Sequence, residues 1–169
     1  MRIEKKITDN KFLNIIEVKD PSMGCVRYQY AERKGVDSIA FICIDKKKNS
    51  FLLNNEATPP LGKFLVRAFG GSLDKSKDKI DIVIEEVLEE CGFVVNRKKV
   101  KDIGKIFVST QMNQYCYLYL VDITNAKNVP RQPENKTESL SEPVWRSKDE
   151  IMSGDDWKSI VIISKMSNG

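Results

Sequence analysis

Histidine is absent from the 169-residue chain, and this absence excludes more than any other. Ser–His and Cys–His nucleophile activation and imidazole metal ligation all need the missing ring, so any chemistry falls to carboxylates, lysine, tyrosine or hydroxyls. Cysteine is scarce. Cys25, Cys43, Cys91 and Cys116 stand far apart, with no pair at metal-ligand or redox spacing, and they read as reduced, mostly buried thiols. Long apolar runs are also missing. The longest, residues 115–121, falls well short of the roughly 20 residues a membrane-spanning helix needs, so no bilayer crossing is expected. The opening Met1-Arg2-Ile3-Glu4-Lys5-Lys6 leads into mixed charge instead of an apolar segment. No secretory signal is visible, and the expectation is an intracellular, cytoplasmic protein.

What is present suits a folded domain. Hydrophobic residues make up 41% and charged residues 31%, too apolar for a disordered chain. A length near the roughly 150 residues of a typical domain predicts one domain over residues 1–169. Charge is unevenly spread. Lys and Arg number 28 against 24 for Asp and Glu, a net +4. Yet Asp78, Asp81, Glu85, Glu86, Glu89 and Glu90 crowd one stretch with Lys79 as its lone base. A basic body with one acidic strip suits an anionic ligand and leaves nucleic acid open. A lysine-rich solvated surface would produce the same arithmetic.

Residues 11–18, 25–32, 36–44 and 50–53 are short segments carrying Ile, Val, Phe or Tyr, separated by turn-forming residues, and they read as strands. Residues 58–62 form a turn, and 63–69 another strand that Gly70-Gly71 should end. A helix is expected from Lys77 or Asp78 to Cys91, with Gly92 as its C-cap and early acids where the helix dipole favours them. Strands follow at 100–108 and 115–122. Residues 123–141 form a long polar loop whose length suggests function or mobility. A short helical stretch begins at Trp145, and a last helix spans about residues 155–165. The fold class expected is α/β, a sandwich with a mixed sheet.

The acidic helix carries the chemical signal. Ile80, Val83, Ile84, Val87, Leu88 and Cys91 share one arc, and Glu86, Glu89 and Glu90 are expected on the opposite one. Like charges three or four residues apart cost about 0.2–0.5 kcal/mol per pair. A hard divalent cation would offset that, since Mg2+ takes one or two carboxylates plus water and substrate phosphates; a solvated acidic face is the plain alternative. The Gly-Gly before the helix sharpens the signal, because it lets backbone groups approach a metal or phosphate closely.

Strand, Gly-Gly, acidic helix and glycine together resemble the Nudix hydrolase family, whose box reads G-x5-E-x7-R-E-U-x-E-E-x-G-U, with U a bulky apolar residue. Gly71 fills the first glycine, and Glu86-Val87-Leu88-Glu89-Glu90-Cys91-Gly92-Phe93 fills the end. Lys77 stands at the first glutamate and Glu85 at the arginine, a reversal of charge that predicts an equivalent ion pair. The order of segments outside the box is similar to the ADP-ribose pyrophosphatase branch. Three positions depart from it: Arg67 replaces a glutamate, Thr58 an arginine and Thr110 a proline.

The resemblance implies a Nudix-type α/β/α sandwich with a central mixed β-sheet and N-terminal strands, residues 1–35, as a dimerisation element of a homodimer. It implies Mg2+-dependent hydrolysis, with Mn2+ as a substitute, of a nucleoside diphosphate linked to another moiety, foremost ADP-ribose or a similar nucleotide sugar. Glu86, Glu89, Glu90 and the Gly70 carbonyl would be metal ligands, with Glu89 able to act as base instead. Arg33 resembles a substrate arginine and Tyr28 a candidate for stacking on a base, although strand aromatics also serve as core or dimer interface. Metal-bound glutamates hold little basicity in reserve, and the branch draws its base from an acidic loop before a tryptophan strand. Of Glu134, Glu138 and Glu142, the last two fit best by their distance to Trp145. A domain that binds a nucleotide without turnover, or an enzyme acting on nucleoside triphosphates, dinucleoside polyphosphates or capped RNA, are the alternatives.

Overall fold

The computed structural model describes residues 1–33, 37–73, 76–133 and 139–166. The sheet is built around β4 (Ser38–Asp45) and β10 (Met112–Asp122), which pair in parallel from Cys116 opposite Ser38 to Asp122 opposite Ile44. Beyond β10 lies an antiparallel meander of β1 (Ile3–Lys6), β2 (Asn14–Asp20) and β3 (Cys25–Glu32). It joins β10 in parallel at Met112 opposite Ala31. Beyond β4 come β5 (Ser50–Thr58), β6 (Lys63–Arg67), β7 (Phe69–Ser72) and, further along the chain, β12 (Glu142–Arg146). A small second ladder pairs β8 (Phe93–Val94) with β11 (Lys127–Asn128), and β9 (Val100–Ser109) runs antiparallel beside β10.

Both faces of the central strands are covered, which is why β4 reads as an unbroken apolar run instead of an alternating one. Ile39, Phe41 and Cys43 point to one face, where Phe69, Tyr119 and Val121 join Ile82, Val83, Val87 and Cys91 of the acidic helix. Ala40, Ile42 and Ile44 point to the other, with Cys116, Leu118 and Leu120. That layer is closed by α2 (Lys148–Met152) through Ile151 and α3 (Trp157–Met166) through Ile162 and Ile163. Cys43, Cys91 and Cys116 are buried free thiols and Cys25 is half-buried.

Two sequence expectations change. Gly70-Gly71 does not end a strand: the break falls at Ala68, whose N–H donates to Asp156 Oδ2 at 2.8 Å, and both glycines lie in β7, opposite Ala40 and Ile39 of β4. Glycine is a weak strand former by itself, and pairing with the central strand overrides that preference. Trp145 and Arg146 belong to β12, opposite Leu52 and Phe51; the helix starts only after Ser147, which forms a capping box with Glu150. The edge strand β1 has every residue exposed, so it carries no periodic signal to read.

One half-buried charge should set part of the acid stability. Asp122 lies 3.0 Å from Lys46 Nζ and 3.5 Å from Lys99 Nζ, and accepts from the Thr124 N–H at 2.9 Å. Burial pushes its carboxyl up, but the hydrogen bonds from Thr124 and Lys46 outweigh that and hold it well below the usual carboxylate range. A depressed folded value means the stabilisation is complete above about pH 4, the unfolded aspartate value, and is lost as pH falls through the folded value. Asp122→Asn is therefore expected to lower the thermal midpoint at pH 7, with the gap to wild type closing below pH 4. An equal gap at pH 7 and pH 2 would exclude this role.

Candidate active site

The acidic helix α1 (Lys79–Glu86) begins at Asp78, whose side chain accepts from the Ile80 N–H. Arg97 bridges Asp78 and Asp81 in that first turn. This neutralises acids that the helix dipole already favours. The expected charge-reversed pair is formed, with Lys77 Nζ 2.6 Å from Glu85 Oε1. The helix then widens into a π-helical turn, Val87–Cys91, closed by Gly92 at φ 72°. Glycine is required at that closing position twice over. The left-handed backbone disfavours a side chain, and a methyl there would run into the Val129 carbonyl oxygen.

That turn carries two of the three box glutamates, and π-turns of this kind recur at functional sites. Glu86 and Glu89 are half-buried. Glu90 is only 6% exposed, which corrects its expected place on the outer face. Even on a regular α-helix seven residues make nearly two full turns, which sets Glu90 within roughly 20° of Val83, on the buried arc. The Glu86 carboxylate rests directly on Gly71: a methyl there would stand 2.9 Å from Glu86 Cδ and closer still to Oε1. The pairing of β7 with β4 thus delivers a bare backbone to the carboxylate, and only glycine leaves it room.

Over Gly70 and Gly71 opens a polar cleft of about 230 Å³. Arg33 lines it, its Nη2 donating to Ser72 Oγ at 2.8 Å, as do Arg67, Lys158 and Glu56. The structure therefore brings Arg33, Gly70, Gly71 and, across Gly71, Glu86 together. It does not bring Tyr28 to them. Tyr28 donates to the Thr110 carbonyl at 2.8 Å and lines a separate groove of about 430 Å³ with Tyr30, Phe107 and Met112, sharing no residue with the cleft. Glu142 is an exposed residue of β12 opposite Asn55, in a strand and not in the loop where the sequence put it. Glu134 and Glu138 lie outside the described residues.

The polar loop is partly tied down. The Val129 N–H donates to the Gly92 carbonyl at 2.8 Å, and the Gln132 N–H to that of Glu89 at 3.0 Å. Arg131 Nη1 donates to the Ser141 carbonyl at 2.8 Å. The middle of the loop, whose length suggested function or mobility, is thereby fastened to the turn that bears Glu89 and Glu90. Cys91, in the same turn, has its thiol held well above the ordinary value, first by burial and then by its contact with Cys43. A thiol so placed is inert.

The donor chemistry fits a hard cation: the glutamates and the Gly70 carbonyl offer only oxygen. Among the described residues no three Cys, Asp or Glu side chains converge closely enough to form a cage unaided. Mg2+ needs none, since it keeps waters and shares its shell with substrate phosphates. Sequence reasoning missed Lys158 and Glu56 as cleft residues. A lysine in a terminal helix and a glutamate in a strand carry no local mark of convergence.

No protein-family model and no curated protein sequence matches the chain. The solved structure of an ADP compounds hydrolase superposes with a TM-score of 0.77 at 11% sequence identity, over 98% of this chain and 90% of that one. Among the described residues no helix is long and apolar enough to cross a membrane. A likeness so extensive at so low an identity establishes the fold, and the chain has the Nudix-type α/β/α sandwich around a central mixed sheet.

Proposed function

We propose that the chain is a cytoplasmic hydrolase, dependent on Mg2+ or Mn2+, of a nucleoside diphosphate linked to another moiety. ADP-ribose or a similar nucleotide sugar is the first substrate to test. The observation that carries this reading is the Glu86 carboxylate seated on Gly71 beside a cation-lined cleft. The solved neighbour's action on ADP compounds supports the nucleotide.

Glu86, Glu90 and the Gly70 carbonyl would hold the cation, with Glu89 as a further ligand where it is not the base. When bound, it supplies charge neutralisation at the diphosphate oxygens and a lowered pKa for the attacking water. Arg33, steadied by Ser72, binds a phosphate oxygen and orients the diphosphate. A carboxylate oxygen of Glu89, Glu138 or Glu142 accepts the water's proton. The N-terminal strands and the turn between β2 and β3, where Val26 is 86% and Met23 76% exposed, serve as the contact of a homodimer.

The test is product analysis over a panel of nucleotides with Mg2+, with Mn2+ and with chelator, on protein that sediments at twice the monomer mass. Two phosphomonoesters should form only with the metal. Among Glu89→Gln, Glu138→Gln and Glu142→Gln, the variant lacking the base should lose kcat by about 10² to 10⁴ with KM little changed. Saturable binding of the panel without products would instead mark a nucleotide-binding domain.

A further inference from the structure

The cleft over Gly70 and Gly71 is dominated by one sign of charge. Arg33, Arg67 and Lys158 line it against a single anion among the described residues, Glu56. Arg67 Nε stands 3.8 Å from Glu56 Oε2, beyond hydrogen-bond reach, so its fork of donors is not consumed by that carboxylate. Lys158 is half-buried and has no carboxylate partner among the described residues, although a partly desolvated ammonium gains from a counter-charge. Arg67 also stands where the family resemblance implies a glutamate, so this chain has reversed the charge at that wall. At about 230 Å³ the cleft is smaller than the roughly 300–1,000 Å³ of a pocket for a whole small molecule. That size suits phosphoryl groups.

A diphosphate bound by a divalent cation and Arg33 leaves Arg67 and Lys158 on this wall with Glu56 as the lining carboxylate, a surplus of one positive charge. We propose that Arg67 and Lys158 are specificity-determining residues that select a substrate carrying at least one ionised phosphate beyond the diphosphate, in preference to a neutral sugar. This narrows the hydrolase reading and rests on it for the reaction, but not for the binding site itself. The guanidinium offers paired donors to a phosphate and the ammonium a point charge, so a phosphate beyond the diphosphate can draw on either.

The site can be tested without metal or turnover, by calorimetry of the full chain with inorganic pyrophosphate and tripolyphosphate. Wild type should bind tripolyphosphate at least about tenfold more tightly, the scale of one added charge-assisted contact. Arg67→Glu and Lys158→Gln should each cut that preference below about threefold. No preference in wild type, or an undiminished one in both variants, overturns the proposal.

Turnover then separates the sources of the third phosphate. kcat/KM for ATP or for diadenosine tetraphosphate should exceed that for ADP-ribose, and the better of the two tells whether the phosphate is a chain end or a bridge. A better rate on ADP-ribose overturns the selection. Tripolyphosphate preference with no hydrolysis of any nucleotide would sink only the hydrolase reading. Hydrolysis with no preference would sink only this one.

Discussion

Glu86→Gln and Glu90→Gln are each expected to lower Mg2+-dependent kcat by at least about a hundredfold, the loss typical when one electrostatic contact to a transition state is removed. Glutamine keeps the volume and removes the charge. For Glu86, half-buried on Gly71, the thermal midpoint should barely move. Glu90 is buried, and replacing an acceptor oxygen by an amide donor there can disturb neighbours. Its kcat must therefore be read beside a thermal melt and a circular dichroism spectrum. A folded Glu90→Gln and a folded Glu86→Gln that both turn over near the wild-type rate would place the cation elsewhere.

Gly71→Ala should be nearly as damaging to turnover, for a different reason. The added methyl would stand 2.9 Å from Glu86 Cδ, so the carboxylate must swing away. That neighbour is the far end of a flexible side chain, so the fold can yield at little cost. The backbone at Gly71 is ordinary strand, opposite Ile39, and alanine adopts it freely. Displacing a catalytic group by about 1 Å can cost on the order of 10² in rate, and a kcat loss of that size with an unchanged melting temperature is the expected result. Loss of stability with retained kcat per folded molecule would show that Gly71 serves packing alone.

Where the structure agrees with the sequence, the signals are local. Asp78 ahead of an apolar-periodic stretch and Gly92 behind it mark the helix ends, because capping involves atoms only a few residues apart. The unbroken apolar run of β4 announces a strand covered on both faces. Lys77 and Glu85, eight residues apart, form the ion pair expected from their reversed charges.

The disagreements have a common cause in partners distant along the chain. Gly70 and Gly71 look like a strand breaker until β4 supplies its hydrogen bonds. Trp145 looks helical until β5 pairs with it. Tyr28 looks like a stacking platform for the site, yet it lies in another groove, beside Phe107 and Met112 and bonded to the Thr110 carbonyl.

Local order, the oxygen-only donor set and the exclusion of imidazole chemistry were determined by the sequence alone, since each depends on residue type and near-neighbour spacing. The seat of Glu86 on Gly71 and the gathering of Arg33, Arg67 and Lys158 in one cleft were decided only by the tertiary structure. Those depend on how the fold brings β3, β6, β7, α1 and α3 to one place, and no local pattern of residue types encodes such a meeting of separate elements.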